Sequence, residues 1–201
     1  MDTRIKSVIF DEKEHKYYFS GRELHGVTGA IGRMMGKSFP DNDTVMIATL
    51  YGHDVHAESE AWIKEGREAS TEAGKWLVNF LKGFRDKNNV SKYEAELIVS
   101  DFEGTASCID IIAHHKDGSV TLFDIKTTSK FDREYCSLQL SAYKRMYEAC
   151  YEGKVKDLFV LSTKARRQFR ILVQDEQRVD LIFKENKADL KDYFSELEAL
   201  K

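Results

Sequence analysis

Between residues 105 and 126 the chain reads TASCIDIIAHHKDGSVTLFDIK, two apolar β-rich runs around a Lys116-Asp117-Gly118 turn. The register of this hairpin decides the fold, because a slip of one residue sends every side chain to the opposite face of the sheet. A three-residue loop with Gly118 in the left-handed conformation pairs His115 with Ser119. Asp110 then lies directly opposite Asp124, with Cβ atoms roughly 5 Å apart. Lys126, two residues beyond Asp124, emerges on the same face. Ile109, Ile111, Phe123 and Ile125 point the other way, into a core. A two-residue loop at Asp117-Gly118 would instead put the aspartates on opposite faces. The apolar alternation is consistent with either register. The three-residue loop is preferred because it gathers the charged residues of these strands.

Like charges set opposite each other on a sheet destabilise it unless something neutralises them. Hard oxygen ligands at that spacing suit Mg²⁺ or Mn²⁺. The plainer alternative is a salt bridge between Lys126 and one aspartate, which is what an isolated Asp-x-Lys triplet usually is.

Working outward, Val8 to Phe10 and Lys16 to Phe19 read as a β-hairpin, and Ser20-Gly21-Arg22 as a second turn. Thr28 is a candidate N-cap for a short helix from Gly29 to Met35. Gly36 to Asp43, with the chain's single proline at Pro40, reads as a loop. Helical patterns follow from Thr44 to about Trp62 and from about Ser70 to Arg85, and Asn88-Asn89 breaks the chain. Tyr93 to Ser100, Thr105 to Ala113 and Ser119 to Ile125 are β-rich. A long amphipathic helix follows from about Asp132 to Glu152. Asp157 to Ser162 and Gln168 to Gln174 are further strands, and Glu176 to Leu200 is a final helix. This order describes an α/β fold with a mixed central sheet flanked by helices and an extra N-terminal hairpin.

The length of 201 residues suits one domain, 1–201, made of an N-terminal extension (1–43), a core (44–175) and a C-terminal helix (176–201). The charged N-terminus has no apolar run of a signal peptide, and no stretch is long enough to span a bilayer. Cys108, Cys136 and Cys150 are scattered, so a reducing, cytoplasmic setting is expected. The net charge of −3 does not advertise nucleic-acid binding. Basic residues cluster locally, at Lys126, Lys130 and Arg133, and at Lys164, Arg166, Arg167 and Arg170. A solvated face is the simplest reading of each cluster.

Asp110 followed by Asp124-Ile125-Lys126-Thr127-Thr128 resembles the D…(D/E)-x-K core of the PD-(D/E)XK nucleases, and the D-x-K-T form is similar to RecB-like and phage-encoded exonucleases. Other segments fall in that branch's order. Gly52-His53-Asp54-Val55-His56 looks like its G-x-x-x-H helix motif. Glu96 sits where the family has an acidic residue on its first core strand, with Glu94 in phase as a competitor. Gly104 precedes the metal aspartate, Gln139-Leu140-Ser141-Ala142-Tyr143 looks like the Q-x-x-x-Y helix motif, and His15-Lys16-Tyr17 resembles phage members. The match runs from about residue 51 to 143, and more loosely from residue 8.

The resemblance implies a restriction-endonuclease-like core and a DNA nuclease. His56, Asp110, Asp124 and the backbone carbonyl of Ile125 would hold one or two Mg²⁺ or Mn²⁺ ions, with Lys126 orienting water. Gln139, Tyr143 and Glu96 would complete the site, while Lys130, Arg133, Arg166 and Arg167 would contact DNA. Relatives with an iron–sulfur cluster use four cysteines, so no cluster is expected here. A recombination or annealing protein and an oligomer are possible partners, in a bacterial or phage setting. Without the resemblance, His56 would be a packed histidine, Gln139 and Tyr143 a surface pair one helical turn apart, and Cys108 a small buried thiol. A site-specific endonuclease and a silent nucleic-acid-binding module remain the alternatives. Whether Lys126 also takes a proton stays open, since that needs a strongly lowered pKa.

Overall fold

A computed structural model describes residues 1–36, 43–128 and 130–199, with side chains at all of these except 43–51, 53 and 189–199. The loop expected around Pro40 therefore lies outside the described residues. After a 3-10 turn at Thr3–Ser7 come strands β1 (Val8–Asp11), β2 (Lys16–Phe19) and β3 (Arg22–Leu24). Helices α1 (Val27–Met34), α2 (Asp43–Glu65) and α3 (Glu72–Asn88) precede β4 (Val90–Ser100), β5 (Ala106–His115) and β6 (Val120–Lys126). The chain ends with α4 (Arg133–Cys150), β7 (Val155–Ser162), β8 (Arg167–Arg170) and α5 (Glu176–Ala199).

The strands form two sheets: a three-stranded antiparallel one, β1-β2-β3, and a five-stranded mixed one in the order β4-β5-β6-β7-β8. Only β6 and β7 run parallel, joined by α4, and parallel neighbours need such a crossover. The decisive hairpin has the three-residue loop. Its pairs run from Ile111↔Phe123 to His114↔Val120, the His115 N–H donates to the Ser119 carbonyl at 2.9 Å, and Gly118 has φ +82°.

Both faces of the large sheet are covered, which is why β6 is a nearly unbroken buried run. Phe123, Ile125, Ile111 and Leu161 pack beneath α2 and α3 with Leu77, Leu81 and Phe84. Leu122, Ile112 and Val160 pack on the other face with Leu138, Met146, Ile31 and Ile182. Ile109 departs from the expected alternation and joins this second cluster, where β5 passes Glu96, whose φ of +53° interrupts β4. A third cluster, with Val8, Tyr17, Leu24, Phe102 and Ala106, seats the small sheet against the large one.

Three local expectations need correction. The first helix begins at Val27, one residue before Thr28, with Gly26 as its N-cap and no side-chain cap. The orphan N–H of Val27 is served from β5, by Ser107 Oγ at 3.2 Å. The Ser20-Gly21 turn leads into a third strand, which Arg22 begins. Strand β8 is short: after Ile171 bonds back to the Leu158 carbonyl, Leu172 and Val173 are exposed and the chain leaves the sheet.

Two ties position the elements around the site. At the α2–α3 corner, Glu58 accepts backbone N–H groups of Ser70 and Thr71, each at 2.9 Å. Burial alone would raise its carboxyl, but these bonds and the two hydroxyls hold it at about 2. A Cβ on Gly74 would sit 1.9 Å from Glu58 Oε2, so this corner requires glycine. At the other end, Asn186 of α5 is fully buried. Its amide donates to the His25 carbonyl at 3.2 Å and to Thr105 Oγ1 at 3.1 Å. Arg33 of α1 donates to the Asn186 side-chain oxygen at 3.1 Å.

Candidate active site

Asp110 and Asp124 stand at the open end of the β5–β6 hairpin, away from the Gly118 turn. The Asp110 carboxylate is fixed by the backbone of its partner strand, with Oδ2 accepting the Ile125 N–H at 2.6 Å. On the other side of β5, the pairs Ala95↔Ile111 and Leu97↔Ile109 place Glu96 opposite Asp110. Glu96 holds a left-handed backbone that a non-glycine residue rarely adopts.

Helix α2 supplies the third side. Gly52 lies against the strand end, where a Cβ would sit 3.4 Å from Thr127 Oγ1. One helical turn later, His56 Nδ1 lies 3.6 Å from Glu96 Oε1 and 3.7 Å from Asp110 Oδ1. One donor atom from each of His56, Glu96 and Asp110 falls within 4.8 Å of the others, the grouping of a metal-binding cluster.

Lys126 and Asp124 form the adjoining pair. The ammonium is 3.0 Å from Asp124 Oδ1 and donates to it. It is also 2.9 Å from Oδ2, but off the hydrogen-bond direction, so that buried oxygen has no hydrogen bond. Lys126 reaches Gln139 Oε1 at 3.4 Å, and Gln139 Nε2 donates to the Tyr143 hydroxyl at 2.9 Å. Gln139 and Tyr143 are buried, which overturns the surface-pair alternative for them.

Three carboxylates, one ammonium and one imidazole leave this site short of positive charge, which shifts the proton affinities of its groups. Burial pushes the Asp110 carboxyl well above its usual range, and the Asp124 and Glu96 charges add to that against the pull of His56. Burial alone would lower the His56 imidazole, yet Asp110, Glu96 and Asp124 raise it to about 9. Burial alone would also lower Lys126, but Asp124 and Asp110 raise it strongly, so it remains an ammonium. Both basic groups hold protons, and their charges offset those of the carboxylates.

The other expected residues fall nearby or elsewhere. Ile125 lines the same cleft and contributes its N–H to Asp110. Cys108 Sγ donates to Glu96 Oε2 at 3.2 Å, and burial, with Glu96, raises its thiol far above the ordinary range. Glu94 is bound to His114 at 2.6 Å and to Lys92 at 3.0 Å, so Glu96 and not Glu94 joins the cluster. The His53 side chain lies outside the described residues. Lys130 and Arg133 are exposed at the start of α4, with the Arg133 guanidinium 5.6 Å from the Phe169 ring. Arg166 in the β7–β8 turn and Arg167 at the start of β8 are exposed. Ser162, which pairs with both Lys126 and Arg167, puts that turn at the Lys126 end of the sheet.

A cleft of about 1070 Å³ opens over these groups, and its far wall was not foreseen from the sequence: Phe10, His15, Lys16 and Tyr17 of the small sheet. The available signal was the His15-Lys16-Tyr17 segment, which had a resemblance but no assigned role.

No protein-family model matches this chain, and no curated protein matches it in sequence. Among solved structures, a candidate exonuclease from Eubacterium rectale aligns with a TM-score of 0.39 at 8% identity, covering 84% of this chain and 79% of that one. The structure of SSO0001 aligns with a TM-score of 0.38 at 14% identity, covering 84% and 77%. Likenesses this distant carry no functional weight; the geometry of the site does. Among the described residues, no helix is long and apolar enough to cross a membrane.

Proposed function

We propose that this chain is a divalent-metal-dependent deoxyribonuclease of the PD-(D/E)XK type that hydrolyses phosphodiester bonds at DNA ends, as in recombination, repair or phage DNA processing. The observation that carries the reading is the charge-deficient cluster of His56, Glu96 and Asp110 beside the Asp124–Lys126 pair. Asp124 Oδ2 accepts no hydrogen bond although the Lys126 ammonium lies 2.9 Å away, so it keeps lone-pair capacity for a cation. The donor set of one imidazole and carboxylate oxygens suits Mn²⁺ as well as Mg²⁺.

His56, Glu96, Asp110 and Asp124, with the Ile125 carbonyl, would hold one or two ions. Bound there, a divalent ion supplies positive charge that polarises a phosphate and lowers the pKa of water. The protein's own groups do the rest. Lys126, kept as an ammonium, offsets negative charge on the phosphate oxygens and orients the attacking water by donation. Gln139 fixes Lys126, and Tyr143 fixes Gln139, so the ammonium is positioned before substrate arrives. The Ile125 N–H holds Asp110 in place. Lys126 is not the base in this state, because its pKa is raised and not lowered. The exposed Lys130, Arg133, Arg166 and Arg167 would meet the DNA backbone beyond the cleft.

The test is cleavage of end-labelled linear DNA with and without Mn²⁺, beside the near-isosteric Asp124→Asn variant. Metal-dependent degradation that the variant loses by about 10³-fold, roughly 4 kcal/mol of barrier, is expected. Protein that binds Mn²⁺ by calorimetry yet cuts neither single- nor double-stranded DNA would make the binding-module reading the better one.

A further inference from the structure

The small N-terminal sheet lines the cleft with aromatic rings. Phe10 and Tyr17 stack at 4.7 Å between centroids, 29° from parallel. The His15 ring meets Phe10 edge-on at 5.2 Å. These three rings grade from solvent to site: His15 is exposed, Phe10 half-buried and Tyr17 buried. Tyr17 lines the cleft together with Glu96, Cys108 and Asp110 of the acidic cluster. All three line the same cleft as His56 and Asp124.

Packing accounts for Tyr17 and in part for Phe10, which belong to the cluster that seats the small sheet, but not for His15. The hairpin turn is held by Asp11, whose carboxylate accepts the Lys13 and Glu14 N–H groups at 2.9 and 3.1 Å. His15 comes next with φ +53°, an unfavourable backbone for a non-glycine residue, and its ring stands exposed against Phe10. The charges at the mouth do not favour a phosphate backbone. Lys16 is already bound to Glu23 at 3.0 Å and Lys64 to Glu60, while Glu12 lines the same wall. Among the described residues, a strand entering here meets aromatic rings and paired charges.

We propose that His15 and Phe10 form a base-stacking platform, so that the substrate of this site is an unpaired DNA strand whose bases lie on these rings while its phosphodiester reaches Asp110 and Asp124. The proposal rests on the nuclease reading. Stacking is tolerant of sequence because every base has a π-face, which suits an enzyme that consumes a strand base after base. It needs separated strands, since the faces of a paired base are covered by its neighbours in the duplex. Because stacking releases no counterions, this part of the binding should resist salt.

The experiment compares three substrates with the full chain in Mn²⁺. A small diester, bis(p-nitrophenyl) phosphate, asks only whether the site hydrolyses phosphodiesters; no turnover with wild type would end the nuclease reading itself. A single-stranded oligonucleotide is then set against one of equal length carrying a run of abasic positions near its end. Wild type should take the abasic strand with roughly tenfold higher KM, and the penalty should persist from 50 to 200 mM salt. Phe10→Leu and His15→Ala should weaken binding of the normal strand and shrink the difference between the strands, while Phe10→Trp restores it. Wild type that hydrolyses the small diester but handles normal and abasic strands alike would overturn the platform and leave the nuclease standing. That outcome is decided on the unaltered protein, whatever the variants do to folding.

Discussion

Two glutamates of β4 each face a histidine, Glu94 the His114 of β5 and Glu96 the His56 of α2, and the two ends of this short stretch behave in opposite ways. Near the turn, His114 Nε2 lies 2.6 Å from Glu94, and Lys92 adds a second contact at 3.0 Å. Burial lowers the His114 imidazole against the pull of Glu94, and Glu94, though burial opposes it, is held low by Lys92 and His114. The charges there are matched and the pair is closed. At the other end His56 stands 3.6 Å from Glu96, beyond hydrogen-bond reach, with two more carboxylates behind it. Here the imidazole rises and Asp110 is driven toward its neutral form. A closed pair is complete without anything else; the open cluster is left short of positive charge.

Removing a charge at each end sharpens this contrast. Lys126→Ala takes away the ammonium that would face the phosphate under the proposed function but leaves the carboxylates. It should lower turnover by about 10²–10³-fold, while calorimetry still finds Mn²⁺ binding. Unchanged cleavage would remove Lys126 from the mechanism.

Proton linkage gives the next effect. The His56 pKa is near 9 in the folded chain against 6.5 as the ordinary value, so its protonation stabilises the metal-free fold fully below about pH 6.5 and not at all above about 9. Asp110, also raised, favours the protonated fold in the same direction. Metal-free protein should therefore lose stability across that window, and Mn²⁺ should restore it by displacing the protons. Thermal unfolding at pH 6 and pH 9 should show a Mn²⁺ shift larger at pH 9 by roughly several degrees. Equal shifts would mean that the ion binds elsewhere.

The smallest effect belongs to the closed end. Glu94→Gln breaks a partly exposed pair, for which about 1 kcal/mol or less of stability is expected, or roughly 2–4 °C in a chain of this size. Cleavage should stay within about twofold. A large loss of activity would show that the two ends are not independent.

The hairpin register was legible through its charges: Lys116-Asp117-Gly118 allowed a two- or a three-residue loop, and gathering Asp110, Asp124 and Lys126 on one face selected the longer one, in which Gly118 takes φ +82°. The order of helices and strands was legible through hydrophobic period. Assembly was not. That Tyr17 and Phe10 wall the cleft depends on how a small sheet docks onto a large one through Phe102 and Ala106, which no local pattern encodes. Glu96 could be placed on its strand, but not its left-handed backbone, which leaves no trace in composition. Thr28 looked like a cap because local hydroxyls usually serve that role; here Ser107, eighty residues later, does so.

Asn186 carries a consequence for the timing of synthesis. Its amide closes the corner between His25 at the cleft wall and Thr105 at the start of β5, yet it lies in the last helix of the chain. Chains grow from the N-terminus, and contacts this distant in sequence form late. The Asn186 bonds at that corner therefore form only after residue 186 has left the ribosome, so a nascent chain exposes its carboxylates before the walls of the cleft are complete.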